Sequence, residues 1–264
     1  MSVLKTVYKQ TFIYGLATVV PRMLSFLLVR LHTDKSVLQN VSDYGDVSIV
    51  FAYFVLFNVI LAYGMETAFF RFFNKESSKA NVLSTATISI LVSSLGFLAL
   101  GLLFKQQIAD ITHIHVNYIS LVVWILFLDA LVIIPFAALR AYGKPVKYTV
   151  IKLTNVVVNL GLNIFLLLYL KALSVGNSFW DSIYVDNFEV SYIFIANLIA
   201  SGVTLLILLP FYFKINFKVD TVLWKKMLKY ALPVLVAGVA FSINETFDRV
   251  LLERLLPESI AKTS

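Results

Sequence analysis

The chain has 264 residues, of which 59% are hydrophobic and only 14% are charged, and it contains no cysteine. Soluble domains are about half apolar and about a quarter charged, so this composition argues against a water-soluble enzyme, a disordered chain and a nucleic-acid-binding domain. The lack of cysteine excludes disulfides, thiolate chemistry and cysteine-based metal sites. The net charge of +7 comes from basic residues that lie between apolar segments, which is typical of a membrane protein.

Seven apolar segments are long enough to cross a bilayer, for which a helix needs about 20 residues. Charged residues interrupt three of them, at Arg22 in the first, Asp129 in the fourth and Glu245 in the seventh, but their lengths and flanks still favour spans. The sequence therefore predicts an all-α polytopic membrane protein with about seven transmembrane helices. The predicted spans are residues 11–31, 47–65, 84–104, 118–138, 148–170, 190–213 and 230–252.

The distribution of lysine and arginine predicts the orientation of these spans. Thirteen basic residues lie in the N-terminal segment and the loops after the even spans, whereas three lie in the loops after the odd spans. Because positively charged short loops stay in the cytoplasm, we expect a cytoplasmic N-terminus. The acidic, aromatic loop 171–189 then lies on the outer side, and the Phe-rich stretch 69–73 is expected to rest on the cytoplasmic membrane surface.

His113 and His115 lie two residues apart in the third predicted loop. Two histidines at this spacing without a third ligand make a poor metal site, so we interpret them as ordinary loop residues. The sequence predicts neither a metal site nor a cofactor.

Two charged side chains lie close to the middle of predicted spans. Arg22 and Asp129 are each 11 residues into their helices, where a charge costs on the order of 2.5–3.5 kcal/mol. Two interpretations follow. Either the two residues form a buried ion pair that fixes helix packing, or Arg22 lines a wet cavity, where its planar guanidinium suits a phosphate.

Three predicted helices carry a narrow polar face when their residues are placed at 100° intervals. Such faces either line a cavity or join helices through hydrogen bonds. We interpret the first-helix face as cavity lining; both interpretations stay open for the fifth helix, and packing explains the sixth equally well. The faces consist of Thr11, Thr18, Arg22 and Ser25; of Lys152, Asn155, Asn159 and Asn163; and of Asn197, Ser201 and Thr204.

The seventh predicted helix places Glu245, Asp248 and Arg249 in its outer half. Glu245 and Arg249 are four residues apart, the spacing of an ion pair along one helix. These residues form either a neutralised helix end or an outward gate and ion-coupling site. With Asp129, they are the candidate coupling or gating residues, for H⁺ or Na⁺ as the coupling ion.

Five short motifs follow one another along essentially the whole chain, and the Tyr-Gly-Met-Glu-Thr stretch that begins at Tyr63 is the most specific. They are PRMLS at 21–25, DYG at 43–45, YGMETAFFRF at 63–72, RAYGKP at 140–145 and NETFDR at 244–249. In this order they resemble the polysaccharide-biosynthesis, or oligosaccharide flippase, family of the multidrug/oligosaccharidyl-lipid/polysaccharide (MOP) exporter superfamily, in the version common in Bacteroidetes-type bacteria.

The resemblance implies a MATE-like fold with two six-helix lobes around a central cavity that opens alternately to either side. On this basis residues 1–213 are expected to form the N-terminal lobe and 214–229 a basic cytoplasmic linker. Residues 230–264 then supply the first helix of an incomplete second lobe, so we expect the chain to be a truncated form of a longer carrier.

The resemblance also implies a flippase rather than an enzyme. Such proteins move undecaprenyl-pyrophosphate-linked oligosaccharides from the inner to the outer leaflet of the bacterial inner membrane for cell-surface polysaccharide biosynthesis. The implied partners are this lipid-linked oligosaccharide and membrane lipids, with no nucleic acid. The candidate substrate-binding residues are Arg22, for the phosphate, and Ser25, Asn155, Asn159 and Asn163.

The first helix departs from the pattern of one branch of the family. The lipid II flippases also have an Arg at this point, but an Arg-Asp pair follows it, where this chain has Phe26-Leu27-Leu28. This departure argues against lipid II as the cargo.

Other functions remain as alternatives. A multidrug exporter of the same superfamily shares the fold but more often has an aromatic and acidic cavity. An integral-membrane glycosyltransferase needs an acidic loop that handles a metal or a lipid phosphate, and no loop carries a convincing cluster. A retinal protein needs a lysine inside the seventh helix, where Lys229 lies only at the edge. A structural scaffold is the remaining alternative.

Overall fold

The computed structural model describes residues 3–33, 41–112, 114–175, 178–186 and 188–255, and every regular element within these ranges is a helix. Seven helical segments in this part of the chain are long and apolar enough to cross a membrane. The predicted all-α membrane fold with seven spans is therefore confirmed. The segments are Thr11–His32, Val47–Lys75, Lys79–Leu103, Val116–Ala141, Pro145–Ser174, Glu189–Tyr212 and Thr221–Asn244.

The helices follow one another with short connections. A π-helical turn, Phe165–Tyr169, separates the seventh helix from the eighth. The helices are α1 (Val3–His32), α2 (Val41–Ala62), α3 (Met65–Lys75), α4 (Lys79–Leu103), α5 (Lys105–Thr112), α6 (Val116–Ala141), α7 (Pro145–Ile164), α8 (Leu170–Ser174), α9 (Ser178–Asp181), α10 (Glu189–Tyr212) and α11 (Thr221–Leu255).

The second span is longer than predicted because α3 continues α2 after a sharp turn. Tyr63 and Gly64 form this turn with φ angles of 31° and 70°, a left-handed conformation that glycine adopts without strain. A Cβ atom on Gly64 would lie 2.4 Å from the Ala231 carbonyl oxygen. Gly64 therefore permits both the turn and the close approach of α11.

Helix α3 is amphipathic, and its apolar face is buried in the protein. Phe69, Phe72 and Phe73 are buried there, while Arg71 and Lys75 are exposed. The helix packs against α4, α6 and α11. Neighbouring helices take up the apolar side chains of the Phe-rich stretch 69–73. Its placement at the membrane surface stays a prediction.

The chain divides into two compact units, and each is discontinuous in sequence. The first combines Met1–Tyr44 with Tyr142–Ile207, and the second combines Gly45–Ala141 with Leu208–Ser264. Neither unit coincides with the predicted lobe 1–213, and that lobe stays a prediction.

In the first unit, α1 and α7 pack side by side in parallel. The Thr149 hydroxyl donates to the Ile13 carbonyl oxygen over 3.2 Å, and further along both helices His32 Nε2 lies 3.0 Å from Asn163 Oδ1. Two odd-numbered spans must run in the same direction through a membrane. The parallel packing thus agrees with the order of the spans.

In the second unit, α4 and α6 pack closely. A Cβ atom on Gly101 would lie 2.9 Å from both Val123 methyl groups, so glycine allows this approach. Ile125 and Ile134 of α6 are fully buried. Helix contacts of this kind rely on close packing, because lipid is as apolar as the side chains.

Helix α11 begins earlier than predicted, at an N-cap that the sequence contains. The Asp220 carboxylate accepts hydrogen bonds from the backbone N–H groups of Val222 and Leu223 at 3.0 and 2.9 Å. The Asp220 N–H in turn donates to the Thr85 hydroxyl. Residues 221–229 of the predicted linker 214–229 are therefore helical.

Candidate functional site

Arg22 lies in the middle of the first span, directly after Pro21. Its side chain is exposed, and within the described part of the chain the guanidinium makes no hydrogen bond or ion pair. Pro21 removes one N–H group from the backbone hydrogen bonds of α1. A cation at this depth requires a polar surrounding, whether water, protein or a bound anion.

Two of the candidate asparagines and one histidine form a chain of hydrogen bonds. Asn163 Nδ2 donates to both the backbone oxygen and the Oδ1 atom of Asn159, at 2.9 and 2.8 Å. Asn163 Oδ1 lies 3.0 Å from His32 Nε2. Asn163 and His32 are buried, with 1% and 6% of their surface exposed, whereas Asn159 is half-buried.

Arg22 and Asn159 lie between the two points where α1 and α7 are joined by hydrogen bonds. Arg22 is nine residues beyond Ile13 and ten before His32, and Asn159 is ten beyond Thr149 and four before Asn163. With a rise of about 1.5 Å per residue, their heights differ by less than about two helical turns. The two side chains therefore lie at similar depths along the two helices.

Asn155 takes part in helix packing. Its Nδ2 group donates to the Thr204 hydroxyl over 2.9 Å, and that hydroxyl donates to the Ala200 carbonyl oxygen of its own helix. Thr204 is buried. The polar face of the sixth span therefore joins α10 to α7 at this point.

The described part of the chain does not test the remaining candidates. The Ser25 side chain lies outside the described residues, and so do the side chains of Glu245, Asp248 and Arg249, although all four backbones are helical. Asp129 is half-buried and belongs to the second unit. Their proposed roles stay predictions.

The second unit contains a polar cluster at the wall of a cavity of about 560 Å³. Ser89 Oγ lies 2.7 Å from the Tyr63 hydroxyl and accepts a hydrogen bond from Trp224 Nε1 at 2.8 Å. The cluster therefore holds Tyr63 in its strained turn. The cavity is lined by Tyr63, Ile88, Ser89, Val92, Ser93, Val219, Thr221, Trp224 and Leu228.

Two further contacts join motif residues of the second unit. Glu66 of the Tyr-Gly-Met-Glu-Thr stretch forms an ion pair with Arg140 of the RAYGKP motif. Arg71 lies over the Tyr230 ring, 4.2 Å from its centre. The YGMETAFFRF motif thus connects α3 to α6 and α11 through the packing of its side chains.

His32 is the polar residue that sequence analysis missed. A lone histidine at a helix end attracts no attention, yet a signal was present, because Thr11, Thr18, Ser25 and His32 follow one another at intervals of seven residues. Residues seven apart lie on nearly the same helix face. The polar face of the first helix can therefore be extended to His32.

His113 lies outside the described residues. The His115 ring accepts a hydrogen bond from the Asn117 N–H through Nδ1 and lies beside Tyr118. In the described ranges, no three histidine, aspartate or glutamate side chains are grouped so that they could hold a metal ion.

Comparisons of the chain with curated proteins and with solved structures returned no match. A family model described as "Polysaccharide biosynthesis protein" matches residues 7–261, which is nearly the whole chain. The match confirms the resemblance to the polysaccharide-biosynthesis family, whereas the Bacteroidetes-type version and the truncation stay predictions. The chain is therefore a multi-pass membrane protein that belongs to the polysaccharide biosynthesis protein family.

Proposed function

We propose that this protein acts as a flippase for an undecaprenyl-pyrophosphate-linked oligosaccharide. In this proposal it moves the cargo from the inner to the outer leaflet of the bacterial inner membrane, with its N-terminus in the cytoplasm. It is a carrier and not an enzyme, and it contacts membrane lipids as well as the lipid-linked sugar. The exposed Arg22 in the middle of a span is the observation that carries the proposal.

The charge of the proposed cargo decides what the carrier must supply. A pyrophosphate carries at least two negative charges and cannot cross about 30 Å of hydrocarbon unaided. The exposed guanidinium of Arg22 has no intramolecular partner among the described residues, so it is available to an anion. Arginine binds phosphate oxygens two at a time, which gives orientation as well as attraction.

The hydrogen bonds narrow the set of proposed sugar or phosphate contacts. The amide groups of Asn155 and Asn163 already bond to Thr204, Asn159 and His32. Asn159 is the asparagine whose Nδ2 group has no acceptor within the described ranges. We therefore place Arg22 and Asn159 at the centre of the proposed binding site and keep Ser25 as a neighbouring candidate.

The coupling of transport stays part of the proposal. Asp129, Glu245, Asp248 and Arg249 are the proposed coupling or gating residues, and H⁺ or Na⁺ is the proposed ion. Asp129 lies inside the fourth membrane span, and this position supports such a role because the cost of a charge there selects against an incidental one. Glu245, Asp248 and Arg249 follow directly after the seventh span, Thr221–Asn244.

A transport assay tests the role of Arg22. The purified protein is placed in proteoliposomes with a fluorescent undecaprenyl-pyrophosphate oligosaccharide, and the initial rate of translocation is measured. We expect Arg22→Ala to lower this rate by about tenfold or more, because a hydrogen bond to a charged group contributes roughly 1.5–3 kcal/mol. Arg22→Lys should retain part of the rate, since lysine keeps the charge and loses the two-pronged geometry.

Arg30 offers a matched control. It is an exposed arginine on the same helix, near its C-terminal end. Arg30→Ala should leave the rate unchanged while it removes the same charge from the chain. Undiminished transport by Arg22→Ala, or an equal loss in both variants, contradicts the proposed anion site.

A further inference from the structure

We infer that His32 is a positioning residue that acts through Asn163 to hold the Asn159 amide with its NH₂ group toward an oxygen atom of the cargo. This inference rests on the proposed function and names a residue that the binding site requires without its touching the ligand.

A hydrogen bond to the backbone oxygen of Asn159 fixes the orientation of the Asn163 amide. The backbone oxygen of Asn159 can only accept a hydrogen bond, and it lies 2.9 Å from one terminal atom of the Asn163 side chain. That atom must therefore be the nitrogen. The other terminal atom of Asn163, which faces His32, must be the oxygen.

The orientation of the Asn163 amide determines which ring nitrogen of His32 carries a proton. Asn163 Oδ1 can only accept, so the ring nitrogen 3.0 Å away must donate. His32 therefore carries a proton on Nε2, whatever the state of its other ring nitrogen. Both residues are buried, so the bond is shielded from bulk solvent.

The Asn163 amide in turn determines the orientation of the Asn159 amide. The second hydrogen of Asn163 Nδ2 is directed to an Asn159 side-chain atom 2.8 Å away, which must then be the acceptor Oδ1. Asn159 is half-buried, and its Nδ2 group has no acceptor among the described residues. Donation thus runs from His32 to Asn163 to Asn159 and ends on a free donor.

A free donor selects the chemistry of its ligand. Asn159 Nδ2 and the Arg22 guanidinium are both donors in the middle of parallel spans, so together they suit a ligand rich in acceptor oxygens. A pyrophosphate has this character, and an apolar drug does not. The chain of hydrogen bonds also costs less reorganisation on binding, because the Asn159 amide is already held in place.

Replacing the His32 imidazole should loosen the hydrogen bonds that connect His32 to Asn163 and Asn159. With Phe at position 32, Asn163 Oδ1 loses its donor, and a buried acceptor without a partner makes the Asn163 side chain less firmly held. Asn159 is then held less firmly in turn, so its NH₂ group is presented to the ligand for less of the time. With Gln at position 32, the side-chain NH₂ group replaces the donor at nearly the same distance from the backbone.

Binding of two defined probes tests the inference. The full chain is placed in lipid nanodiscs, and its affinities for geranylgeranyl pyrophosphate and for geranylgeraniol are measured. We expect His32→Phe to weaken pyrophosphate binding about tenfold and to leave the alcohol unchanged, while His32→Gln stays within about twofold of the wild type. A merely structural role would weaken both probes, or would not be rescued by Gln.

A second variant covers the case in which His32→Phe fails to fold. Asn159→Asp keeps the acceptor for Asn163 and replaces the outward NH₂ group by an oxygen. It should lose affinity for the pyrophosphate selectively. Wild-type affinity in this variant, or in His32→Phe, overturns the inference.

The outcomes separate this inference from the proposed function. If Arg22→Ala loses pyrophosphate affinity and His32→Phe keeps it, the anion site stands and the role of His32 is wrong. If the wild-type protein binds the pyrophosphate no better than the alcohol, the proposed function itself fails, and the inference fails with it.

Discussion

Glu66 and Arg140 form an ion pair that ties α3 to the C-terminal end of α6. The two residues come from separate stretches of the sequence, and each stretch carries part of the family resemblance. The Arg140 guanidinium also lies 5.0 Å from the centre of the Phe70 ring. Arg140 is thus held by two residues of one short helix.

The ion pair should contribute modestly to stability. Arg140 and Glu66 leave 34% and 38% of their side chains exposed, so solvent screens their attraction. We expect a double-mutant cycle of Glu66→Gln and Arg140→Gln to give a coupling energy of less than about 1 kcal/mol. Unfolding in mixed SDS micelles measures it. Arg140→Gln should cost more than Glu66→Gln, because it also removes the contact with Phe70; the reverse order contradicts this account.

Gly64→Ala should be strongly destabilising. The new Cβ would pay for a left-handed backbone, about 1–2 kcal/mol, and would meet the Ala231 carbonyl oxygen at 2.4 Å. Displacing α11 adds an overpacking cost of roughly 1–3 kcal/mol. The free energy of unfolding of the purified protein checks the sum.

Gly143 is the matched control for this substitution. It also has a positive φ, of 64°, but nothing lies within 4 Å of a Cβ atom built on it. Gly143→Ala should therefore show the backbone cost alone. Equal losses in both variants mean that contact with α11 adds nothing at Gly64.

Thr204→Val tests whether Asn155 serves packing. Valine has nearly the same shape but cannot accept the hydrogen bond from Asn155 Nδ2. Hydrogen bonds between membrane helices contribute on average about 0.6 kcal/mol and at most about 1.7 kcal/mol, and we expect a loss in this range. Thermal unfolding in detergent measures the loss. Thr154→Val is the control, since the Thr154 hydroxyl bonds only to the Val150 carbonyl of its own helix. An affinity for geranylgeranyl pyrophosphate that falls with Thr204→Val argues for a cargo role of Asn155 instead.

The sequence predicted the spans well because the membrane imposes a length and an apolar composition that hydropathy detects directly. It missed the extension of the second span, because Arg71 and Lys75 end the apolar run although the other face of α3 is fully buried. It also placed the start of α11 too late. The charges of Lys225, Lys226 and Lys229 are typical of a loop, so hydropathy places the helix start after them. The N-cap at Asp220 is a different signal, which hydropathy does not detect.

The sequence predicted which residues lie on the polar faces of the helices, but it did not predict which neighbouring residues they bond to. Helix periodicity places Asn155, Asn159 and Asn163 on one side of a helix, and it is silent about which neighbour faces that side. His32 lies 131 positions from Asn163 in the sequence, and only packing of α1 on α7 brings them together. Long-range pairing of this kind distinguishes the Asn155 and Asn163 amides, which bond to neighbouring side chains, from Asn159. The Asn159 Nδ2 group has no acceptor among the described residues.

Helix α11 contains 35 residues, from Thr221 to Leu255. At about 1.5 Å per residue it is roughly 50 Å long, whereas the hydrocarbon layer is about 30 Å thick. The basic residues near its start and the charged residues near its end therefore belong to one helix that is long enough to reach both membrane surfaces. Pro233 lacks the N–H group that would bond to the Lys229 carbonyl, so bending is concentrated there. A helix of this length gives a direct mechanical connection between its two ends, and the bend at Pro233 is the point where a change at one end can be absorbed before it reaches the other.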